Sequence, residues 1–130
     1  MVGMVWLNNS PSSVADWFNS NYILHTPKKR DPNHRLYSIA VIKDKGGKNA
    51  FRKGRGAAVS KIPEESLSKI ENETLIIWGK EDKLFTVKYG EAASKIIPNA
   101  KFRVIPEAGH LSLIDNSEVF NSILTNFLIK

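Results

Sequence analysis

Cysteine is absent from the 130 residues. That excludes disulfides, thiolate metal sites and cysteine nucleophiles together, and it fits a reducing compartment. Long apolar runs are absent too: no stretch approaches the roughly 18 residues that a membrane helix needs. Residues 1–7 are apolar, but no basic region precedes them and no small-residue cleavage site follows, unlike a secretory signal peptide. A cytoplasmic protein without membrane contact is therefore expected. The hydrophobic share is 42%, so a packed core is within reach and the composition is not that of a disordered chain. His25 and His34 have no third ligand at useful spacing, so neither a metal site nor a cofactor is expected.

What is present is unevenly spread. The net charge is +6. Residues 28–61 hold eleven Lys and Arg against Asp31 and Asp44, a net +9, and the remainder is −3. Clusters such as Lys45-Gly46-Gly47-Lys48 and Arg52-Lys53-Gly54-Arg55 could contact phosphates. Only Phe51 interleaves among these charges, whereas stacking platforms for nucleic acid need several aromatics. A solvated surface is the better reading, and nucleic acid is not the expected partner.

The pattern changes near Pro63. Residues 1–63 are irregular, basic and helical in parts. Ser12 or Ser13 could cap a helix through Trp17 and Phe18. Asp31, followed by Pro32, is a helix start; Leu36, Ile39, Ala40 and Lys43 keep helical spacing, and Gly46-Gly47 breaks it. Residues 64–130 are regular. Thr74-Leu75-Ile76-Ile77-Trp78 reads as a strand buried on both faces. Tyr89, Ala92, Ala93, Ile96 and Ile97 share one helical face, which Pro98-Asn99 ends. Lys101-Phe102-Arg103-Val104-Ile105 alternates like a half-exposed strand. Val119, Phe120, Ile123, Leu124, Phe127 and Leu128 form a second amphipathic helix. The order strand, helix, strand, helix implies an α/β unit with parallel strands. Two such strands need further neighbours to make a stable sheet.

Functional groups in open parallel sheets collect beyond the carboxyl ends of the strands. Asp82 lies just past the first strand and His110 just past the second. Adjacent strands are about 4.8 Å apart, so a carboxylate and an imidazole can meet there. The plainer alternatives are a turn-capping aspartate and a structurally bonded loop histidine. Leu75-Ile76-Ile77-Trp78-Gly79-x-x-Asp82, followed 28 residues later by His110 in Ala108-Gly109-His110-Leu111, resembles the C-terminal part of an α/β-hydrolase. The resemblance runs from about Leu67 to Leu128, and residues 1–63 would correspond to the cap-like helical segment. It implies an incomplete α/β-hydrolase fold, in which Asp82 matches the triad acid and His110 the triad base.

The same resemblance exposes what the chain lacks. No upstream serine sits in Gly-x-Ser-x-Gly: Ser10, Ser12, Ser13, Ser20, Ser38 and Ser60 have neither the flanking glycines nor a preceding buried strand. The glycine-rich oxyanion loop is absent as well, a loss worth on the order of a hundredfold in rate. Glu73, Thr86, Ser112 and Ser117 stand where the family often has proline. Ser66-Leu67-Ser68-Lys69 matches Ser-x-x-Lys in form, but it lacks the companion motifs and reads as a helix surface. Two expectations follow. The chain belongs to a serine-type family that hydrolyses esters or related carbonyls but lacks the nucleophile elbow, so it is either inactive alone or half of a split enzyme that meets a small-molecule substrate only when a nucleophile-bearing chain completes it. Alternatively, it is a non-catalytic module that pairs its exposed strand edge with a copy of itself or with a partner chain.

Overall fold

The computed structural model describes residues 12, 16, 20, 23–25, 33–44, 46, 47, 49, 50, 53 and 62–129. Two compact units divide the chain: Met1–Ser20 with Arg30–Ser60, and Asn21–Lys29 with Lys61–Lys130.

In the first unit, helix α1 spans His34–Lys43. It starts later than Asp31-Pro32 suggests, and His34 lies within it rather than in a loop. It also ends before the glycines. Asp44 turns extended, and its Oδ1 accepts from the Gly46 N–H at 2.7 Å. A local side-chain bond of this kind competes with helix continuation. Gly46 and Gly47 are themselves helical. Arg35 donates from Nε and Nη2 to the Asp16 carboxylate, which holds that carboxyl below its usual range. Ser12 is helical itself, whereas Ser13, Trp17 and Phe18 lie outside the described residues.

The second unit carries α2 (Glu64–Ser68), β1 (Thr74–Gly79), α3 (Val87–Ile96), β2 (Ala100–Ile105), α4 (Ser112–Asp115) and α5 (Ser117–Leu128). β1 and β2 pair in parallel, with Thr74 opposite Ala100 and Gly79 opposite Ile105. The α/β order read from the sequence is thus present, with α3 as the crossover.

α3 and α5 cover different sides of this pair. A Cβ on Gly90 of α3 would lie 2.6 Å from Trp78 Cε3 and 2.9 Å from Phe102 Cε2, so α3 meets the strands at a glycine. Leu75, Lys101 and Arg103 share a groove with Ile123, Asn126 and Phe127 of α5. There the Lys101 ammonium stands 5.7 Å from the centre of the Phe127 ring, within cation–π range.

Three expectations about burial need correction. The β1 residues Thr74 to Trp78 are half-buried, not enclosed on both faces. Among the described residues the sheet has two strands, so each strand has a neighbour on one edge only. The inward face of α3 is also rotated in its first half: Tyr89 is 65% exposed and Ala92 is exposed while Gly90 is buried, whereas Ala93, Ile96 and Ile97 are covered as the spacing predicts. Close approach at Gly90 sets that rotation, which apolar spacing alone misassigns. Finally, Ile23 and Leu24, within the segment read as irregular, are among the most buried side chains, at 1% and 2% exposure. α5 follows its predicted face in Phe120, Ile123, Leu124 and Phe127, whereas Val119 and Leu128 are exposed.

Surface pairs add little. Lys69 bonds Glu65 and Lys95 bonds Glu91, each one helical turn apart with the acid N-terminal. The Lys95 hydrogen bond holds the Glu91 carboxyl below its usual range.

Gly90→Ala is expected to destabilise the second unit despite alanine's better helix propensity, which offsets about 1 kcal/mol. Overpacking against two aromatic rings costs about 1–3 kcal/mol, and the net loss should appear as a lower urea midpoint.

Candidate active site

Asp82 and His110 meet at the carboxyl end of the parallel pair. Asp82 Oδ2 lies 3.0 Å from His110 Nδ1. The Asp82 side chain is 4% exposed and the His110 side chain 33%. An acid shielded from water thus faces an imidazole that solvent can still reach.

Each half of Asp82 has its own task. Oδ1 accepts the backbone N–H groups of Leu84 (2.8 Å) and Phe85 (2.9 Å) and so closes the turn after β1. Oδ2 is left to His110. The turn-capping role and the pairing role therefore coexist on one side chain. Trp78 Nε1–H donates to the Phe85 carbonyl at 2.9 Å, tying the turn back to β1. The Phe85 ring sits 5.7 Å from the His110 ring, tilted by 52°, and limits where the imidazole can swing.

The histidine loop is held as firmly. β1 ends at Gly79, where a Cβ would collide with the carbonyl oxygens of Gly109 and Ala108. Because those obstacles are backbone, only glycine allows the two loops to touch. Lys80 N–H donates to the Ile105 carbonyl at 2.9 Å, and Glu81 N–H to the Ala108 carbonyl at 3.0 Å. Glu107 has φ = 54°, a left-handed conformation that non-glycine residues seldom adopt. It turns the chain between the strand end and His110.

Asp115 had no place in the sequence reading. It is 1% exposed. Its Oδ2 accepts the backbone N–H groups of Gly109 and His25, both at 2.8 Å. Leu111 N–H donates to the Ile23 carbonyl at 3.2 Å. One buried carboxylate therefore joins the histidine loop to a segment 90 residues away in sequence. The available signals were faint: an acid closing the apolar stretch Leu113-Ile114, and the isolated apolar pair Ile23-Leu24. Among the described residues no cluster of three His, Asp or Glu could hold a metal ion, and no helix is long and apolar enough to cross a membrane.

A family model for the alpha/beta hydrolase fold matches residues 6–117. The chain belongs to the α/β-hydrolase fold family. The match begins far upstream of Leu67, so it extends beyond the stretch that carries the motif resemblance. A 2-hydroxymuconate semialdehyde hydrolase of Pseudomonas putida is 34% identical over 67 residues, which are 52% of this chain and 24% of that protein. Among solved structures, a serine hydrolase involved in carbazole degradation superposes with a TM-score of 0.78 at 19% identity, covering 98% of this chain and 50% of its own. The meta-cleavage product hydrolase of Pseudomonas fluorescens gives 0.76 at 19% identity, with 94% and 48% covered. The chain thus spans about half the length of the solved relatives it matches.

Removing the Asp115 carboxylate would leave two amides without their acceptor, at about 1–3 kcal/mol each. Asp115→Ala should therefore be strongly destabilised in urea unfolding. Asp115→Asn, whose amide oxygen can still accept both bonds, should lose much less.

Proposed function

We propose that the chain carries the acid and base of a serine-type hydrolase site, with Asp82 orienting His110 and the nucleophile supplied from outside these 130 residues. The observation that carries this reading is the 3.0 Å contact between Asp82 Oδ2 and His110 Nδ1. A carboxylate can only accept, so Nδ1 holds the proton and Nε2 keeps its lone pair. In the completed site Nε2 takes the proton of the attacking hydroxyl, and Asp82 stabilises the resulting imidazolium. The same proton then passes to the leaving group, and a second round through water releases the acyl product. The division into a cap-like segment, residues 1–63, and a core portion, residues 64–130, belongs to this proposal, as does a cytoplasmic location for this cysteine-free chain.

The substrate class is proposed from the relatives. Their names specify hydrolases of 2-hydroxymuconate semialdehyde and 2-hydroxy-6-oxo-6-phenylhexa-2,4-dienoate, small unsaturated carbonyl compounds. A small carbonyl compound is accordingly the proposed substrate of the completed site. No catalytic step is assigned to a metal or cofactor.

One observation favours a second reading. β1 is apolar, half-buried and paired on one edge only among the described residues. Such an edge can accept another strand, which would make the chain a self-associating module with no reaction of its own.

A chromogenic short-chain ester, offered to the purified chain and to His110→Ala prepared in parallel, separates these ideas. The expected result is no turnover above the variant for the chain alone. Turnover should appear when a chain bearing Gly-x-Ser-x-Gly co-purifies with it, and disappear again with His110→Ala. Turnover by the chain alone that His110→Ala abolishes would overturn the external nucleophile. Concentration-dependent dimerisation in sedimentation, without any such partner, would support the module instead.

A further inference from the structure

The loop that presents His110 is suspended by its backbone amides. Ala108 N–H donates to the Glu81 carboxylate at 3.1 Å, Gly109 N–H to Asp115 at 2.8 Å, and Leu111 N–H to the Ile23 carbonyl at 3.2 Å. Of these acceptors, Glu81 alone comes from the acid loop. Its own N–H donates to the Ala108 carbonyl at 3.0 Å, so Glu81 and Ala108 are bonded in both directions. The next residue along, Asp82, reaches His110, two positions beyond Ala108. Consecutive side chains of one loop thus grip the other loop at two points.

The two grips differ in kind. Asp82 holds the imidazole itself, whereas Glu81 holds the backbone that carries it. Glu81 is half-buried, while its neighbours Lys80 and Lys83 are exposed. Its Oε2 is engaged by the histidine loop. Hydrogen bonds weaken steeply with misalignment. A ring on a surface loop holds a 3.0 Å contact only if its Cα is fixed, and Asp115 and Glu81 fix the loop from opposite sides in sequence.

We propose that Glu81 is a positioning residue for His110, latching Ala108 so that the imidazole keeps its Nδ1–H toward Asp82. This deepens the function proposed above and rests on Asp82 and His110 being a working pair. Glu81 touches neither the reacting atoms nor the ring. Its effect is transmitted through two residues of backbone, and its signature is the tautomer of His110.

A neutral imidazole free in water favours the Nε2–H tautomer, and pairing with Asp82 inverts that preference. The chain labelled with 15N in its histidine rings reports which form is present, through the Nδ1 and Nε2 shifts on the alkaline side of the ring's titration. The Nδ1–H form is expected in the unaltered chain and in Glu81→Gln, which keeps an acceptor oxygen at the same reach. Glu81→Ala should lose most of that form and approach the spectrum of Asp82→Ala, in which no carboxylate remains for the ring. Glu81→Asp keeps the charge but is one methylene short, so it should behave like Glu81→Ala. It also serves in its place should the alanine variant fail to fold. Amide resonances outside the two loops should stay unchanged throughout. An unaltered tautomer in Glu81→Ala or Glu81→Asp overturns the positioning role and leaves the Asp82–His110 pair standing. An Nε2–H ring in the unaltered chain overturns the pair itself, and the latch with it.

Discussion

The rim of the second unit that carries Asp82 and His110 depends on a missing atom. At Gly79 the acid loop and the histidine loop touch backbone to backbone, and a Cβ there would occupy the space of two carbonyl oxygens. The Lys80 and Glu81 amide bonds across the loops, the Glu81 latch and the Asp82–His110 contact all lie within a few residues of that approach. Parallel pairing of β1 and β2 delivers both loops to one rim, but the pairing alone leaves them a strand spacing apart. The glycine removes the remaining gap. Any side chain at that position would act on geometry before it acted on chemistry.

Polar groups, more than apolar ones, specify this region. The buried hydrophobic set among the described residues is small: Ile23, Leu24, Ile97, Ile105 and Ala108. Asp82, Ser112 and Asp115 are buried beside it. A buried carboxylate costs free energy unless its oxygens are engaged, and both acids here accept backbone amides. Those bonds are directional and fix where the loops lie. An apolar contact of equal area would fix only that they lie near each other. The left-handed Glu107 fits the same account, since local strain persists where surrounding bonds over-determine the backbone.

Much of this was legible in the sequence because its signals are local. The apolar run at Leu75–Trp78, the amphipathic spacing of α5 and the positions of Asp82 and His110 just past two strands each require only a short window. The resemblance to α/β-hydrolases joined them into one family reading, and the match over residues 6–117 places the chain in that family. What stayed hidden is long-range. Nothing near Asp115 indicates that its acceptor serves His25, and nothing near Ile23-Leu24 indicates what covers them. The face of α3 was misread for a related reason: periodicity counts apolar side chains, whereas Gly90 packs by having none. Helix α1 was misbounded because the Asp44 bond to Gly46 ends it earlier than the glycines would.

The partial burial of β1 ties the fold to the functional reading. An apolar strand of Leu, Ile and Trp gains most of its stabilisation when enclosed on both faces and both edges. Here it is half-buried along five of its six positions. At the rim it supports, Asp82 and His110 stand 3.0 Å apart, and the proposed reaction still requires a hydroxyl, for which these residues offer no Gly-x-Ser-x-Gly. Both shortfalls would be met by the same thing, further strands beside β1 whose own carboxyl ends reach that rim. A partner that merely covered the strand would stabilise the sheet and leave the imidazole idle. One that also brought a hydroxyl to Nε2 would satisfy packing and chemistry together, because in a parallel sheet the edge that needs a neighbour and the rim that needs a nucleophile are set by the same strand direction.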